Sequence, residues 1–314
     1  MSAKVPFLKL PDSRDPIASI GLPVYNGSNY IGQAIESILE QDFGDFELII
    51  SDNASTDDTA AICEKYAVMD RRITYMRQPE NLGAARNYND VFRAASGTYF
   101  KWAAHDDLLE PQFLSRCIEG FNRHEPLPAI VYPRSEFIDA DGKVLRADRS
   151  RHSMHTVSPF PAVRVFRAIQ AMSMVTAVFG LFHRETLART RLIDSFIASD
   201  YVLLLECALL GHIVHLESEP LFQRRIHENM SRQANRTDEE VLKWFDPAAR
   251  AGGSSKRRLF QEYMKSIYHI EGLSVLQRQS CATSLVGSIL TRRARVAAGR
   301  WRRQVRAVGG NGEA

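Results

Sequence analysis

The feature that most narrows the fold of this chain is a fourfold alternation in its first hundred residues. Short apolar runs at 17–22, 46–50, 73–76 and 99–103 have the length and the bounding turn residues of buried strands. The first ends at Pro23. Helical patterns lie between them. Residues 30–41 place Ile31, Ala34, Ile35, Ile38 and Leu39 on one face, with Ser28 or Asn29 as the N-cap. Thr56-Asp57-Asp58 opens a second helix through Tyr66, and a third spans 84–95, closed by Gly97. Strands alternating with helices require right-handed crossovers and a mostly parallel sheet covered on both faces. Ligands bind such sheets beyond the carboxyl ends of the strands. Here those ends carry Tyr25, Asn26, Asp52, Asn53, Asp106 and Asp107, so polar and acidic groups recur in one layer.

The second half is less regular. A strand is expected over 130–139 with a hairpin turn at Asp141-Gly142, then a polar loop over 149–161 and a helix over 161–171. A strand over 175–183 contains Gly180, a residue that lets backbone or ligand approach closely. A helix over 199–210 starts at Asp200, strands follow at 213–216 and 221–225, and 237–268 is helical with breaks at Pro247 and Gly252-Gly253. Residues 309–312 are expected to be disordered.

Composition excludes several classes. Of 314 residues 45% are hydrophobic, enough to build a core. The net charge of +3 is too small and too unfocused to indicate nucleic-acid binding. Cys63, Cys117, Cys207 and Cys281 form no C-x-x-C pair and read as inert thiols of a reducing cytoplasm. No secretory leader and no apolar run long enough to span a bilayer is found. Residues 292–306 hold seven arginines and no acid, together with Trp301. Such a helix suits an anionic membrane surface, here the inner face of the cytoplasmic membrane, or equally packing in an oligomer.

Four motifs in order carry a resemblance: Leu22-Pro23-Val24-Tyr25-Asn26, Ser51-Asp52-Asn53-Ala54-Ser55-Thr56-Asp57, Asn81-Leu82-Gly83-Ala84-Ala85-Arg86-Asn87 and His105-Asp106-Asp107-Leu108. Together they resemble family 2 glycosyltransferases over about residues 15–230. The resemblance implies a GT-A α/β fold: a mostly parallel central sheet flanked by helices, with a helical C-terminal extension. The expected division is a tail at 1–14, a glycosyltransferase domain at 15–235 and a helical extension with a basic tail at 236–314. Within the domain, 15–110 is the nucleotide-binding half and 111–235 the acceptor half.

The implied activity is inverting, non-processive transfer of one sugar from a nucleoside-diphosphate sugar to a hydroxyl of a glycan or lipid-linked glycan, with Mn²⁺ or Mg²⁺. UDP ranks ahead of GDP and dTDP. The implied nucleotide-sugar contacts are Pro23, Tyr25, Asn26, Asp52, Asn81, Arg86, Asp106 and Asp107. Asp106 and His227 are the implied metal ligands, and Asp200 the base. Ala104 and Ser199 stand where the family usually has acids.

The chemistry gives these residues sense, beside local alternatives. A departing diphosphate needs a divalent cation, which carboxylates hold; Asp106 and Asp107 alternatively cap a helix over 108–121. Asp52 accepts from a base N–H, or shapes an Asx-turn. Asp200 deprotonates the acceptor, or complements its helix dipole, with Asp194 as the competing base. In Arg225-Ile226-His227, Arg225 offsets phosphate charge and His227 reaches diphosphate or metal, or is structural. His105 faces ligand, metal or solvent. Two rival functions are a non-catalytic nucleotide-sugar binder, favoured by Ala104 and Ser199, and a sugar-phosphate nucleotidyltransferase. The latter is disfavoured by Pro23-Val24-Tyr25-Asn26 standing where its glycine-rich loop belongs.

Overall fold

The structure, a computed structural model, describes residues 15–147, 153–172, 176–228, 230, 237–249 and 254–309. The tail at 1–14, part of the 149–161 loop, Gly252-Gly253 and residues 310–312 lie outside these.

The first hundred residues alternate as expected: β1 (Ala18–Val24), α1 (Ile31–Leu39), β2 (Phe46–Asp52), α2 (Thr59–Met69), β3 (Ile73–Arg77), α3 (Ala84–Ala94) and β4 (Tyr99–Trp102). β1 is wholly buried, because it has β2 on one side, β4 on the other and helices over both faces. It runs through Pro23 rather than ending there. In a parallel strand alternate residues bond alternate neighbours. Gly21 O accepts from Ala103 N–H, and Val24 O accepts from Asn53 N–H. Pro23 therefore faces the β4 side, and that pairing has already ended at Gly21 and Trp102. The missing N–H costs no ladder bond.

The chain continues with β5 (Leu108–Leu109), α4 (Phe113–Asn122), β6 (Ile130–Tyr132), β7 (Ser135–Ile138), β8 (Val144–Ala147), α5 (Pro161–Ala171) and a 3₁₀ turn at Thr176–Phe179. Then come β9 (Leu181–His183), α6 (Arg184–Ala188), α7 (Ser199–Leu210), β10 (Ile213–His215) and β11 (Phe222–Arg225). The helices α8 (Asp238–Phe245), α9 (Ser255–His269) and α10 (Val275–Gly309) complete it. The main sheet has the order β10-β6-β9-β4-β1-β2-β3 and is parallel except for β9, which lies antiparallel to both neighbours. A second sheet, β5-β11-β7-β8, stands over the carboxyl end of β4.

Several local expectations are corrected. The expected strand over 130–139 is two strands, one in each sheet; both are buried, so hydrophobicity alone did not reveal the corner at Pro133-Arg134. The expected helix over 108–121 starts only at Phe113, because Leu108 and Leu109 pair with β11. The expected strand over 175–183 is a 3₁₀ turn followed by β9, with Gly180 at the joint. A Cβ at Gly180 would stand 2.7 Å from Tyr132 Cβ, so the glycine provides backbone clearance. Neither Ser28 nor Asn29 caps α1; Gly27 O takes the N–H groups of Tyr30 and Ile31 instead.

Helices α9 and α10 join one of the two cores: Tyr263, Ile267, Cys281 and Leu285 pack in one cluster with Trp102 and the buried face of α7. All four cysteines are buried and free. Among the described residues no helix is long and apolar enough to cross a membrane.

Candidate active site

The loops after β1 and β2 are brought level because Val24 and Asp52 are in register. Two non-glycine residues here have left-handed backbones, Asn26 (φ +51°) and Ala54 (φ +62°), a strain that persists only where surrounding bonds over-determine it. Those bonds are present. Asn26 N–H donates to Ser55 Oγ at 2.9 Å, and Asn26 Oδ1 accepts from Thr56 N–H at 2.8 Å. Gly27 N–H donates to Thr59 Oγ1 at 2.9 Å. Thr56-Asp57-Asp58 thus stitches two loops together and also opens α2, which begins at Thr59 with Asp58 as its N-cap residue and Asp57 Oδ1 taking the Thr59 N–H at 3.1 Å. Burial opposes charge on Asp57, but hydrogen bonds from Thr59 and Ser28 outweigh it and hold the carboxyl at about 2.

Asp52 is fully enclosed. Its Oδ1 accepts from Ser55 N–H at 2.8 Å, and its Oδ2 accepts from the Tyr75 hydroxyl at 3.0 Å, with Arg77 Nε at 3.6 Å. The Asx-type bond considered from the sequence is therefore present. Asn53 and Asn81 bond through their amides at 2.9 Å, and Asn81 Oδ1 also takes the Gly83 N–H, which fixes the loop before α3. Of the nucleotide set, Tyr25, Asn26, Asn81 and Arg86 keep exposed surface while Pro23 and Asp52 do not. Arg86 is paired along α3 with Asp90 at 3.1 Å.

β4 ends in Ala103-Ala104-His105-Asp106-Asp107, and β11 lies across this loop. Arg225 N–H donates to Asp107 Oδ1 at 2.9 Å, and Arg225 Nε donates to the Asp106 carbonyl at 2.8 Å. The rest of the guanidinium donates to Ala140 O, Asp139 O and Gln33 Oε1, and its plane lies 4.5 Å from the Tyr30 ring. Arg225 is only 1% exposed, with its donors taken by the protein. The expectation that it offsets phosphate charge is overturned: it is the brace of the acid loop. Its neighbour Arg224 points the other way, as strand alternation demands. It is half-buried, its guanidinium donates no hydrogen bond among the described residues, and its charge acts on Asp107.

The two adjacent acids diverge. Asp107 is buried, and burial followed by the charge of Asp106 pushes its carboxyl well above the usual carboxylate range. Asp106 meets the His227 imidazole, with Nε2 3.0 Å from Oδ2, and the ring of His227 packs 4.8 Å from Tyr30. Neither acid caps a helix, since α4 starts six residues after Asp107. His105 turns to the first loop: a Cβ at Gly27 would lie 2.6 Å from its ring. Burial lowers its affinity for a proton.

Asp200 stands in the first turn of α7, half-buried. The residue capping that helix, Ala198, is left-handed at φ +65°. Ser199 is buried with its hydroxyl unpartnered among the described residues. The competitor Asp194 spends Oδ1 on the N–H of Ser195 at 2.7 Å.

Sequence reasoning missed two residues. Arg224 was hidden by its neighbour Arg225; strand alternation, with one arginine buried and the next facing the cleft, was the usable signal. Tyr88 on α3 is half-buried with its ring centroid 6.4 Å from that of Trp102, and burial, followed by the charges of Asp106, Asp107 and Asp200, pushes its phenol above the ordinary range. Its position inside a helix gave no sign of this. Among the described residues no three or more potential ligands converge as a metal cage. Asp106 and His227 do offer one oxygen and one nitrogen donor side by side, which fits a Mn²⁺ or Mg²⁺ ion that takes its other ligands from phosphate oxygens and water.

The molecule is similar to known proteins in fold and sequence. The S. aureus TarS 1–349 structure with UDP-GlcNAc superposes with a TM-score of 0.63 at 17% identity, covering 85% of this chain and 71% of that one. A mannosyltransferase from Pyrobaculum calidifontis, in complex with GDP-Man and Mn²⁺, gives 0.53 at 19% identity, covering 95% and 83%. The fold is GT-A. By sequence, chondroitin synthase of Escherichia coli is 35% identical over 132 residues, 42% of this chain and 19% of that protein. Hyaluronan synthase of Pasteurella multocida is 33% identical over 153 residues, 46% and 16%. The matched segment is thus under a fifth of the length of these relatives. The profile of glycosyl transferase family 2 matches residues 19–187, just over half of the 314 residues. The chain belongs to glycosyl transferase family 2.

Proposed function

We propose that this chain transfers one sugar from a nucleoside-diphosphate sugar to a hydroxyl of a glycan or lipid-linked glycan, with inversion at the transferred carbon. The observation that carries this reading is the Asp106–His227 pair, 3.0 Å apart just beyond the end of β4; Asp200, in the first turn of α7, is the proposed base. The loops at Tyr25, Asn26, Asn53 and Asn81 form the nucleotide seat. The Asp52 carboxylate fastens its floor and is the group nearest to hand for a base N–H once Tyr75 or Arg77 yields. Domains as divided from the sequence are kept as part of the proposal.

Asp106 and His227 would hold the cation, which when bound would supply neutralisation of charge on the departing diphosphate. Arg224 adds a second positive charge on that side, in the role the sequence assigned to Arg225. Asp200 takes the proton of the acceptor hydroxyl from the opposite side of the sugar. Asp107 serves from within, by accepting the Arg225 N–H and so fixing the loop that carries Asp106. The TarS and mannosyltransferase complexes hold UDP-GlcNAc and GDP-Man, which support a nucleotide-sugar donor of either base; UDP stays the first choice.

A thermal-shift screen of nucleoside diphosphates with Mn²⁺ or Mg²⁺ tests the reading. A ligand that binds the folded state raises the melting temperature. A rise of several degrees with one diphosphate, dependent on the cation, is expected; no shift with any of them would sink it. Donor hydrolysis in the same samples separates an enzyme from a non-catalytic binder.

The basic segment of α10 is proposed to touch an anionic membrane surface on the side of a lipid-linked acceptor. Leu290 and Val286 are exposed just before Arg292 and Arg293 on this helix; the side chains from Gly299 onward, including Trp301, lie outside the described residues. Flotation with vesicles containing anionic lipid is expected to carry the protein, and replacing the seven arginines by glutamine to abolish it.

A further inference from the structure

We infer that Tyr30, at the start of α1, is a positioning residue whose ring sets the orientation of the His227 imidazole toward Asp106. This rests on the donor reading above and adds to it the residue through which the first loop governs the grip on the cation.

Arg225 and His227 stand two positions apart. The bonding of β11 continues one residue past its end, where Ile226 N–H donates to Ile138 O at 2.8 Å, so positions 225 and 227 project to the same side of an extended chain. Both side chains turn to Asp106. Arg225 Nε donates to its carbonyl at 2.8 Å, and His227 Nε2 lies 3.0 Å from its Oδ2. Both also meet one ring. The Tyr30 centroid is 4.5 Å from the Arg225 guanidinium carbon and 4.8 Å from the centroid of the His227 ring, with 57° between the two ring planes. A guanidinium within about 6 Å of a ring centroid and a tilted ring pair at about 4.5–7 Å are both attractive arrangements.

Tyr30 is itself held from the side of the nucleotide loops. Its N–H donates to Gly27 O at 3.1 Å, and Gly27 N–H donates to Thr59 Oγ1 at 2.9 Å. Three residues on, Gln33 Oε1 accepts from Arg225 Nη2 at 2.7 Å. The start of α1 therefore grips Arg225 at two points and presents the Tyr30 ring to His227 as a fixed surface.

A histidine that ligates a metal is ordinarily oriented by a hydrogen bond from its other ring nitrogen to a carboxylate or carbonyl. Among the described residues the His227 ring bonds through Nε2, to Asp106, and Nδ1 has no such partner. Packing fixes the ring instead: the side chain is 8% exposed, and the Tyr30 ring lies against it. Without that ring the imidazole gains rotational freedom, and binding a cation has to remove it again at a cost in affinity. Tyr30 acts through His227 and is a ligand of nothing itself.

The test measures by calorimetry, on the full chain, the affinity for UDP and in parallel for GDP, each with and without Mn²⁺. The ratio of the two affinities is the contribution of the cation. In Tyr30→Leu this ratio is expected to fall about tenfold, the lower end of the cost of removing the support of a metal ligand, while the affinity without Mn²⁺ stays that of wild type. Tyr30→Phe keeps the ring and is expected to restore the ratio. In a His227→Ala background, Tyr30→Leu is expected to lower it no further, because two residues that act as one unit are not additive. Melting temperatures are measured alongside, and Tyr30→Met takes the place of Tyr30→Leu if the latter does not fold. A wild-type ratio in Tyr30→Leu would overturn the assignment. So would equal losses with and without Mn²⁺, which signal a structural role, a loss in Tyr30→Phe as large as in Tyr30→Leu, or a further fall in the His227→Ala background. If wild type binds neither nucleotide, or binds both equally with and without Mn²⁺, the donor reading itself has failed and this inference with it.

Discussion

Asp106 and His227 lie 121 positions apart in the chain and 3.0 Å apart in space. The contact is made because β11 pairs with β5 directly beyond Asp107 and then delivers His227 to the same loop. One donor comes from each sheet, so the pair depends on both sheets keeping their mutual position.

Replacing His227 by alanine is expected to raise the Mn²⁺ concentration needed for half-maximal transfer by about 10–100-fold, the usual cost of disturbing a metal's surroundings. Asp106→Asn should lower maximal turnover by about 100-fold or more, as expected when charge stabilisation of a leaving group is lost. Metal titrations of the transfer rate check both. Wild-type metal dependence in His227→Ala would remove that residue from the site.

Asp200→Asn is expected to cut turnover by about 10²–10⁴-fold, the range of a general base, with affinity for nucleoside diphosphate retained. Single-turnover rates beside calorimetry separate the two. If Asp194→Asn shows the loss instead, the competing acid is the base.

The two neighbouring arginines should behave oppositely. Arg225→Met removes a buried guanidinium that serves Asp106 O, Asp139 O, Ala140 O and Gln33, and a loss of roughly 3 kcal/mol in stability is expected from orphaning those acceptors. Arg225→Lys should recover little of it, because an ammonium does not reproduce the fork. Arg224→Gln should leave the urea midpoint near wild type and weaken nucleoside-diphosphate binding several-fold. Urea unfolding and calorimetry on the same three variants decide it.

Lys101 supplies a pH signature. It is wholly buried in β4, donating to Phe179 O at 2.6 Å and Trp102 O at 3.1 Å, and burial brings its amine down to about 7 from an ordinary 10.5. Below pH 7 both folded and unfolded chains hold the proton, and the cost of burying the charge is felt in full. Above pH 7 the folded amine becomes neutral while the unfolded one stays charged, so this group's contribution to stability improves as pH rises toward 10.5. The urea midpoint of wild type, relative to that of Lys101→Met, is expected to climb between pH 7 and 8.5. Parallel profiles would show that Lys101 does not titrate there.

Legibility followed the range of the interactions involved. β1 to β4, α3, α5 and α7 were readable to within a residue or two because a strand's apolar run and a helix's 3.6-residue spacing are local signals. What failed depended on distant partners. Leu108 and Leu109 look like a helix start until β11 arrives from more than a hundred residues away. The 130–139 run looks like one strand because burial in two different sheets leaves the same apolar pattern. Thr56-Asp57-Asp58 leads into α2 as its capping chemistry suggests, with Asp57 Oδ1 taking the Thr59 N–H, but Asp57 Oδ2 also takes the Ser28 N–H of the distant first loop, which no local pattern shows. In the candidate site, the acids and His227 stand in motifs visible in the sequence, whereas the enclosure of Arg225 and the partial exposure of Arg224 required knowing which face of β11 is inward.

Gly83 sets a limit on how this chain can be recombined. Its backbone is left-handed at φ +83°, and a Cβ there would stand 2.4 Å from Phe245 O and 2.8 Å from Pro247 Cδ. The loop that frames the proposed nucleotide seat is therefore moulded against the end of α8. A chimera that exchanges the C-terminal helices with those of a relative must import residues 245–247 and 81–83 as a matched set. A crossover that separates them would leave the seat misshapen even with every polar residue of the cleft intact.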